Sequence, residues 1–598
     1  MKTQNTYSNN PSSNKPVEKI KTAFFALSRV EYAVFLTFSV AALISLLIII
    51  LQTSKSFLVE IPSPGGTIKE GLIGTPRFIN PILELSDADR DLTTLVYSGL
   101  MRSTSYGNLI PDLAKSYTIS ADGKIYTFIL KENIFFHDGS AVTVDDIIYT
   151  IEKAQDPLIK SPKRANWEGV TMEKVSDREI NFILKQPYAP FIENTTLGIL
   201  PKHIWKDTDA ETFSFSQLNY EPVGAGPYRI KTIKTNESRV PVIYYLAPFK
   251  KYTLGKPYIK NLIIKLYPSE LKMLNAYEKG GIDTISAISP EYAGQVALIK
   301  NAKVETTPLP RIFGVFFNQN QASIFTNAEI REALDISAPR EEIVKKVLYG
   351  YGSLTESPIP SGLLPPLSLA SSTVLETDQS TSTPLEKASR LLEKKGWELD
   401  EKSKLLVKKT KSAEFRFEFS IATANVPDLK RAAEILKTEW EKLGAKIEIR
   451  TFDLGDLNQS VIRPRKYDAL LFGEIVGRDL DLFAFWHSSQ RNDPGLNIAL
   501  YTNSKVDKLL EDVRTISSMT ERTEKYREFE KEIKKDVPAV FIYSPDFIYL
   551  IPPTLKGFTI KNATVPSERF ENIHEWHIKT DTVWKIFAKD HLTLSSNN

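Results

Sequence analysis

The chain of 598 residues has no cysteine, only six histidines and almost no charge imbalance. Without thiols there is no disulfide framework, no cysteine-ligated zinc or iron–sulfur site and no thiol nucleophile. A lipid-modified N-terminal cysteine, a common tether of exported bacterial proteins, is excluded for the same reason. Lys and Arg number 76 against 73 Asp and Glu, a net charge of +3, so no polyanion partner is indicated and nucleic acid is not an expected target. No G-x-x-x-x-G-K phosphate loop and no G-x-S-x-G nucleophile elbow occur. The one paired-histidine motif, His574-Glu-Trp-His577, lacks the spacing of the zinc H-E-x-x-H helix, and the alternation of Ile573–Ile578 reads as a strand carrying two surface histidines. With so few imidazoles and no thiol, no metal and no cofactor are expected.

What is present begins with a membrane signature. From Tyr32 to Ser54 the tyrosine phenol is the only ionisable group. At about 1.5 Å per residue, some twenty such residues cross a hydrocarbon layer of ~30 Å. The run is too long for the apolar centre of a signal peptide, and no A-x-A-like site follows it. Lys2, Lys15, Lys19, Lys21 and Arg29 outweigh Glu18 and Glu31 ahead of it, which places the N-terminus in the cytoplasm. The expected order is a polar, disordered cytoplasmic tail (1–30), a single anchor (31–54), and a linker (55–65) through Ile61-Pro-Ser-Pro-Gly-Gly66. Everything beyond is extracytoplasmic.

The exported part mixes two textures. Ser116–Ser120 and Ile125–Leu130 flank Asp122-Gly123 as a hairpin, the pair supplying the positive φ angles of its turn. Thr143 with Asp146 forms a capping box that opens a helix through Ile147, Ile148 and Ile151. Farther on, Phe415, Phe417, Phe419 and Ile421 alternate with polar residues as a half-buried strand. A helix follows from Asp428, with Leu429, Ala432, Ala433, Leu436 and Trp440 on one face. Gly444 stops it before a strand at Ile447 and Ile449, so a crossover unit of α/β type is expected. Pro358 to Pro384 reads as a long surface loop.

Several short motifs then fall in a family's order. These are Gly74-Thr-Pro-Arg-Phe-Ile-Asn-Pro81, Leu95–Leu100, Leu109–Tyr117, Phe136-His-Asp-Gly-Ser140, Val144-Asp-Asp146, Gly224-Ala-Gly-Pro-Tyr228, Gly281-Ile-Asp283, and Ile330–Leu334 with Ala338-Pro-Arg340. From about Gly71 to Gly557 the chain resembles the family-5 extracellular solute-binding proteins, the oligopeptide-, dipeptide- and nickel-binding components of ABC importers.

The resemblance implies an α/β, two-lobed, periplasmic-binding-protein-like fold of type II, of the large class with an extra subdomain. Lobe one would combine 66–105, 223–310 and 544–598; the subdomain would span 106–222 and lobe two 311–543. It also implies a non-enzymatic, monomeric receptor that closes on a small ligand, of the oligopeptide class, and delivers it to ABC permease and ATPase subunits. A surface sensor of the same fold and an anchored hydrolase are the alternatives. Placed on the family pattern, Tyr467–Val476 is a cleft strand contributing Gly473 and Glu474, and Glu84–Asp87 a ligand-facing turn containing Ser86. Tyr543 falls near the hinge, while Trp167 and Trp486 offer flat apolar walls or ordinary core packing. The triplet whose acid holds a peptide's amine in relatives aligns with Ile475-Val476-Gly477, which has no acid, so either Asp479, the favoured candidate, or Glu474 would take that role, or the ligand has no free amine there.

Overall fold

The computed structural model describes residues 28–299, 302–360, 363–364, 382–411, 413–516, 518–585 and 588. The tail 1–27 and most of the expected loop, 365–381, lie outside the described residues. Two compact units are resolved, one formed by the N- and C-terminal segments and one by Pro64–Ile578.

In the first unit a helix runs from Arg29 to Ser56. Its Arg29–Ile49 portion has a mean hydropathy of 2.5 and none of it is buried, so by length and composition it can cross a bilayer. The linker expectation for 55–65 gives way here. Leu58–Ser63 is a strand, paired antiparallel with Lys579–Trp584 from Leu58 opposite Trp584 to Ser63 opposite Lys579. Val59 and Ile61 suit a strand, and Pro62 is tolerated because a two-stranded ribbon has a free edge.

The second unit is organised by one long strand, Ala539–Ile551. Its first half pairs with Arg311–Phe317, and its second half with Lys303–Pro308 and Thr284–Ser286. On one side the sheet continues through Ala469–Ile475, Glu418–Ala424 and Lys446–Phe452. On the other it continues through Gly65–Ile73, Ile259–Tyr267, Pro241–Pro248 and Tyr228–Thr235. The chain passes between the two halves only through Pro308-Leu309-Pro310 and Tyr543-Ser544-Pro545 among these strands. Pro308, Pro310 and Pro545 have no N–H to donate, so the pairing with Arg311–Phe317 gives way here to that with Lys303–Pro308, while the short strand Gly352–Leu354 pairs along Tyr543–Pro545 and leaves two narrow connections between the halves. The Leu309 amide still reaches the Pro545 carbonyl at 3.1 Å, tying the two connections together.

Each lobe has its own core. Lobe two packs Ile312, Phe316, Phe419, Leu436, Trp440 and Trp486, and lobe one packs Ile68, Leu92, Tyr228, Leu262, Tyr549 and Trp576. A further core beneath a four-stranded antiparallel sheet joins Phe128, Ile147, Trp167, Phe182 and Phe191.

Locally the expected elements form, with instructive departures. The capping box holds: Thr143 N–H donates to Asp146 at 2.8 Å and the helix Val144–Gln155 follows. In the hairpin turn only Gly123 takes a positive φ (68°), while Asp122 instead accepts from Ser120 Oγ and the Lys124 amide. The crossover unit forms as parallel strands 418–424 and 446–452 around the helix Pro427–Glu441. The alternation of 415–421 did not mean a half-buried strand, however. Phe417 breaks the run, and Phe419–Ala424 is buried on both faces because the strand lies between two parallel neighbours; such strands carry no alternation. The His574 motif is likewise not a strand. Ile573–Glu575 is a 3₁₀ turn, and both histidines are half-buried, His574 edge-on to Tyr252 at 5.7 Å and His577 to Tyr258 at 6.0 Å. Burial pushes the His574 imidazole down to about 3, which suits packing rather than a surface role.

Candidate functional site

The site begins with the helix Asp87–Val96. Ser86 caps it: its Oγ accepts the Asp89 amide at 3.1 Å while Asp89 accepts the Ser86 amide at 2.9 Å. At the other end Gly224 and Gly226 let the chain pass directly over the last carbonyls. A Cβ at Gly224 would sit 2.2 Å from the Val96 oxygen, and the Gly226 amide donates to that oxygen at 2.8 Å. The glycines of the G-x-G-P-Y turn are therefore required by close approach.

Beside this helix end lies a cavity of about 360 Å³. Its walls come from 93–102, from the subdomain segments 163–167 and 193–198, from 564–571, and across the lobe boundary from Gly477-Arg478-Asp479. Arg478 binds the pieces together, with its guanidinium 2.5 Å from Glu568 and 3.4 Å from Glu193. Arg102 holds Asp112 at 3.4 Å and Glu571 at 3.2 Å, and Lys163 holds Glu84 at 3.0 Å. Burial raises Glu193 and Glu571 to about 7. Burial, then the neighbouring Asp481, raises Asp479 as well.

The turn carrying Arg478 and Asp479 is fixed from lobe two. Arg522 donates to the Asp479 carbonyl at 2.8 Å, Tyr526 donates to the Leu480 carbonyl, and Leu480 adopts a φ of 55°. Next to it Tyr188 of the segment 106–222 donates to Asp481 at 3.0 Å, and Arg514 of lobe two pairs with Asp481 at 3.2 Å.

Of the residues expected at a ligand, Trp167 and Asp479 line this cavity. Ser86 lies two residues beyond the lining Glu84 and serves as the helix cap. Gly473 faces the Phe313 ring, which a Cβ there would meet at 2.7 Å, and Phe313 stacks on Tyr543 at 4.9 Å. That trio sits on the hinge strands, outside the cavity wall. Glu474 and Trp486 lie inside lobe two instead. Glu474 is opposite Ile312, 3% exposed, with neither carboxylate oxygen hydrogen-bonded. Burial holds it well above the usual carboxylate range, and its place inside the lobe-two core leaves it unsuited as the counter-charge of an amine in the cleft. Trp486 is fully buried among Phe316, Tyr501, Phe529 and Phe541. The sequence reading missed Arg478, Arg102, Glu193, Glu568 and Glu571, which meet only through the tertiary fold. Among the described residues no group of three or more His, Asp or Glu is placed to hold a metal ion.

Residues 108–494 match the model of the bacterial extracellular solute-binding proteins, family 5. The chain belongs to this family. Its family-5 relatives include the oligopeptide-binding protein AppA of Bacillus subtilis, 26% identical over 521 residues, covering 86% of this chain and 92% of the relative. The dipeptide-binding protein of Escherichia coli is 23% identical over 527 residues, covering 84% and 93%. Among solved family-5 structures, NikZ from Campylobacter jejuni in complex with Ni(L-His) superposes with a TM-score of 0.66 at 26% identity, covering 86% of this chain and 99% of that one. These relatives share the two-lobed mixed α/β architecture, and the family is one of binding proteins.

Proposed function

We propose that this family-5 protein is a membrane-held receptor that captures small peptides between its lobes and passes them to an ABC permease. The observation that carries the reading is the cavity between the helix end 93–102 and the lobe-two turn 477–479, in a molecule whose lobes are joined by two narrow strand connections. A ligand that touches both walls has contacts in the closed state that the open state cannot offer, so it shifts the equilibrium toward closure. The names of the Bacillus and Escherichia relatives support peptide as the ligand class. The lobe and subdomain boundaries expected from the sequence, a monomeric state, the absence of catalysis and an N-terminus in the cytoplasm belong to the same proposal, with ATP-driven work left to partner subunits.

Native mass spectrometry of the gently purified chain tests the ligand. A co-purified mass that fragments as a peptide is the expected result, and an exclusively non-peptide ligand would end the reading. For topology, protease added to intact cells should digest the large domain and leave an N-terminal tag protected; a freely released form lacking residues 1–54 would exclude the anchor.

A further inference from the structure

The cavity is lined by more carboxyl groups than cations. Six carboxylates line it (Glu84, Asp112, Glu193, Asp479, Glu568, Glu571), against Arg102, Lys163 and Arg478. Arg102 and Arg478 are each shared between two acids, and among the described residues Asp479 has no cation within ion-pair distance. Its side-chain hydrogen bond is a long one from the Asp481 amide at 3.4 Å. A peptide's amino terminus offsets only one of these charges.

A second, independent feature points the same way. Tyr97 and Thr93 both line the cavity, are 3% and 6% exposed, and their hydroxyls have no hydrogen-bond partner. They lie one turn apart at the C-terminal end of the helix Asp87–Val96, Tyr97 being its cap. That end of a helix carries the negative pole of its dipole. Hydroxyl oxygens free to accept, at a dipole end that favours cations, suit an N–H donor bearing positive charge.

We infer that the cavity takes a cationic group in addition to the peptide's amine, a guanidinium or ammonium side chain received by Tyr97, Thr93 and the surplus carboxylates. The inference rests on the peptide reading above. Closing the cleft removes water from both partners, so with a neutral side chain of equal size the surplus carboxyl groups must either stay charged without a partner or take up protons, whereas a cation offsets them directly.

The test compares three peptides of one length and backbone, each with a free amino terminus, bearing arginine, its neutral isostere citrulline, or glutamate at the same position. Calorimetry on the full chain in nanodiscs should show arginine binding at least about tenfold more tightly than citrulline, with glutamate weakest. In Asp479→Asn the arginine preference should shrink while the melting temperature stays near that of the wild type. Equal affinity for arginine and citrulline peptides on the wild type, which needs no variant, would overturn this inference and leave peptide capture standing. Binding of none of the three, across several peptide lengths, would overturn the peptide reading and this inference with it.

Discussion

Arg478→Gln should act on the open–closed equilibrium more than on folding. Arg478 belongs to lobe two, but its partners Glu193 and Glu568 belong to the other side of the cleft, at 3.4 Å and 2.5 Å. All three side chains are at least three-quarters buried. Breaking a fully buried pair by deleting one partner costs about 3–5 kcal/mol. Here the two orphaned carboxylates have an escape, because burial already brings Glu193 to about 7 and protonation relieves part of the penalty. The closed state should therefore lose about 2–3 kcal/mol relative to the open one, within the range for charged hydrogen bonds. If closure is the step that holds ligand, affinity falls by about 30- to 140-fold. Each lobe keeps its own core, so the melting temperature should move little. Arg478→Lys should recover part of the loss, since one ammonium cannot fork to two acids. The defect should also narrow near pH 5.5, where Glu193 is protonated in both proteins. Calorimetry with a bound peptide, repeated at two pH values, reads all of this. Unchanged affinity in Arg478→Gln would refute the reasoning.

Three further outcomes are expected. Arg569 is fully buried, bidentate to Asp91 at 2.8 and 2.6 Å and bonded to Glu70 at 3.0 Å, so Arg569→Met should cost about 3–5 kcal/mol in denaturant unfolding; a loss under about 1 kcal/mol would show the network to be dispensable. Burial raises the Glu571 carboxyl to about 7 in the folded chain, from an ordinary 4.5. Between those values the native state binds more protons, so this group's contribution to stability falls as pH rises from about 4.5 to 7 and is constant above. The melting temperature of Glu571→Gln relative to wild type should thus climb across that window; a flat difference would contradict the assignment. Gly224→Ala puts a methyl against the Val96 carbonyl and should destabilise by about 1–3 kcal/mol, with a neutral result showing that the turn can retreat from the helix.

How much of this was legible in the sequence depended on whether the cause was local. The capping box at Thr143, the crossover around Pro427–Glu441 and the glycines of Gly224-Ala-Gly-Pro-Tyr228 are short-range solutions to short-range problems, and each was readable. The strand Leu58–Ser63 was not, because its partner Lys579–Trp584 lies at the opposite end of the chain and Pro62 argues for a spacer. Alternation at Phe415–Ile421 misled because a central parallel strand is buried on both faces. In the site, Asp479 was reached through motif order, and Trp167 through its residue type. Trp486 satisfied the same criterion and proved to be core, since an indole's surroundings are not written in its neighbours. Arg478 stands beside Asp479 in sequence, yet its role comes from Glu193 and Glu568, about which nothing nearby gives a hint. Glu474 sits on the predicted strand but on the face that packs against Ile312, and one residue of register separates the two faces.

The central claim is closure of two lobes on a ligand, and the absence of native cysteine makes it directly measurable. Spin labels at Lys260→Cys in the strand Ile259–Tyr267 and Thr438→Cys in the helix Pro427–Glu441 report one distance between the lobes, both positions being exposed. In the full chain in nanodiscs, double electron–electron resonance should give a broad distribution without ligand that narrows to a single closed-state distance when a peptide shown by calorimetry to bind is added. A distribution left unchanged by that bound peptide would contradict the account.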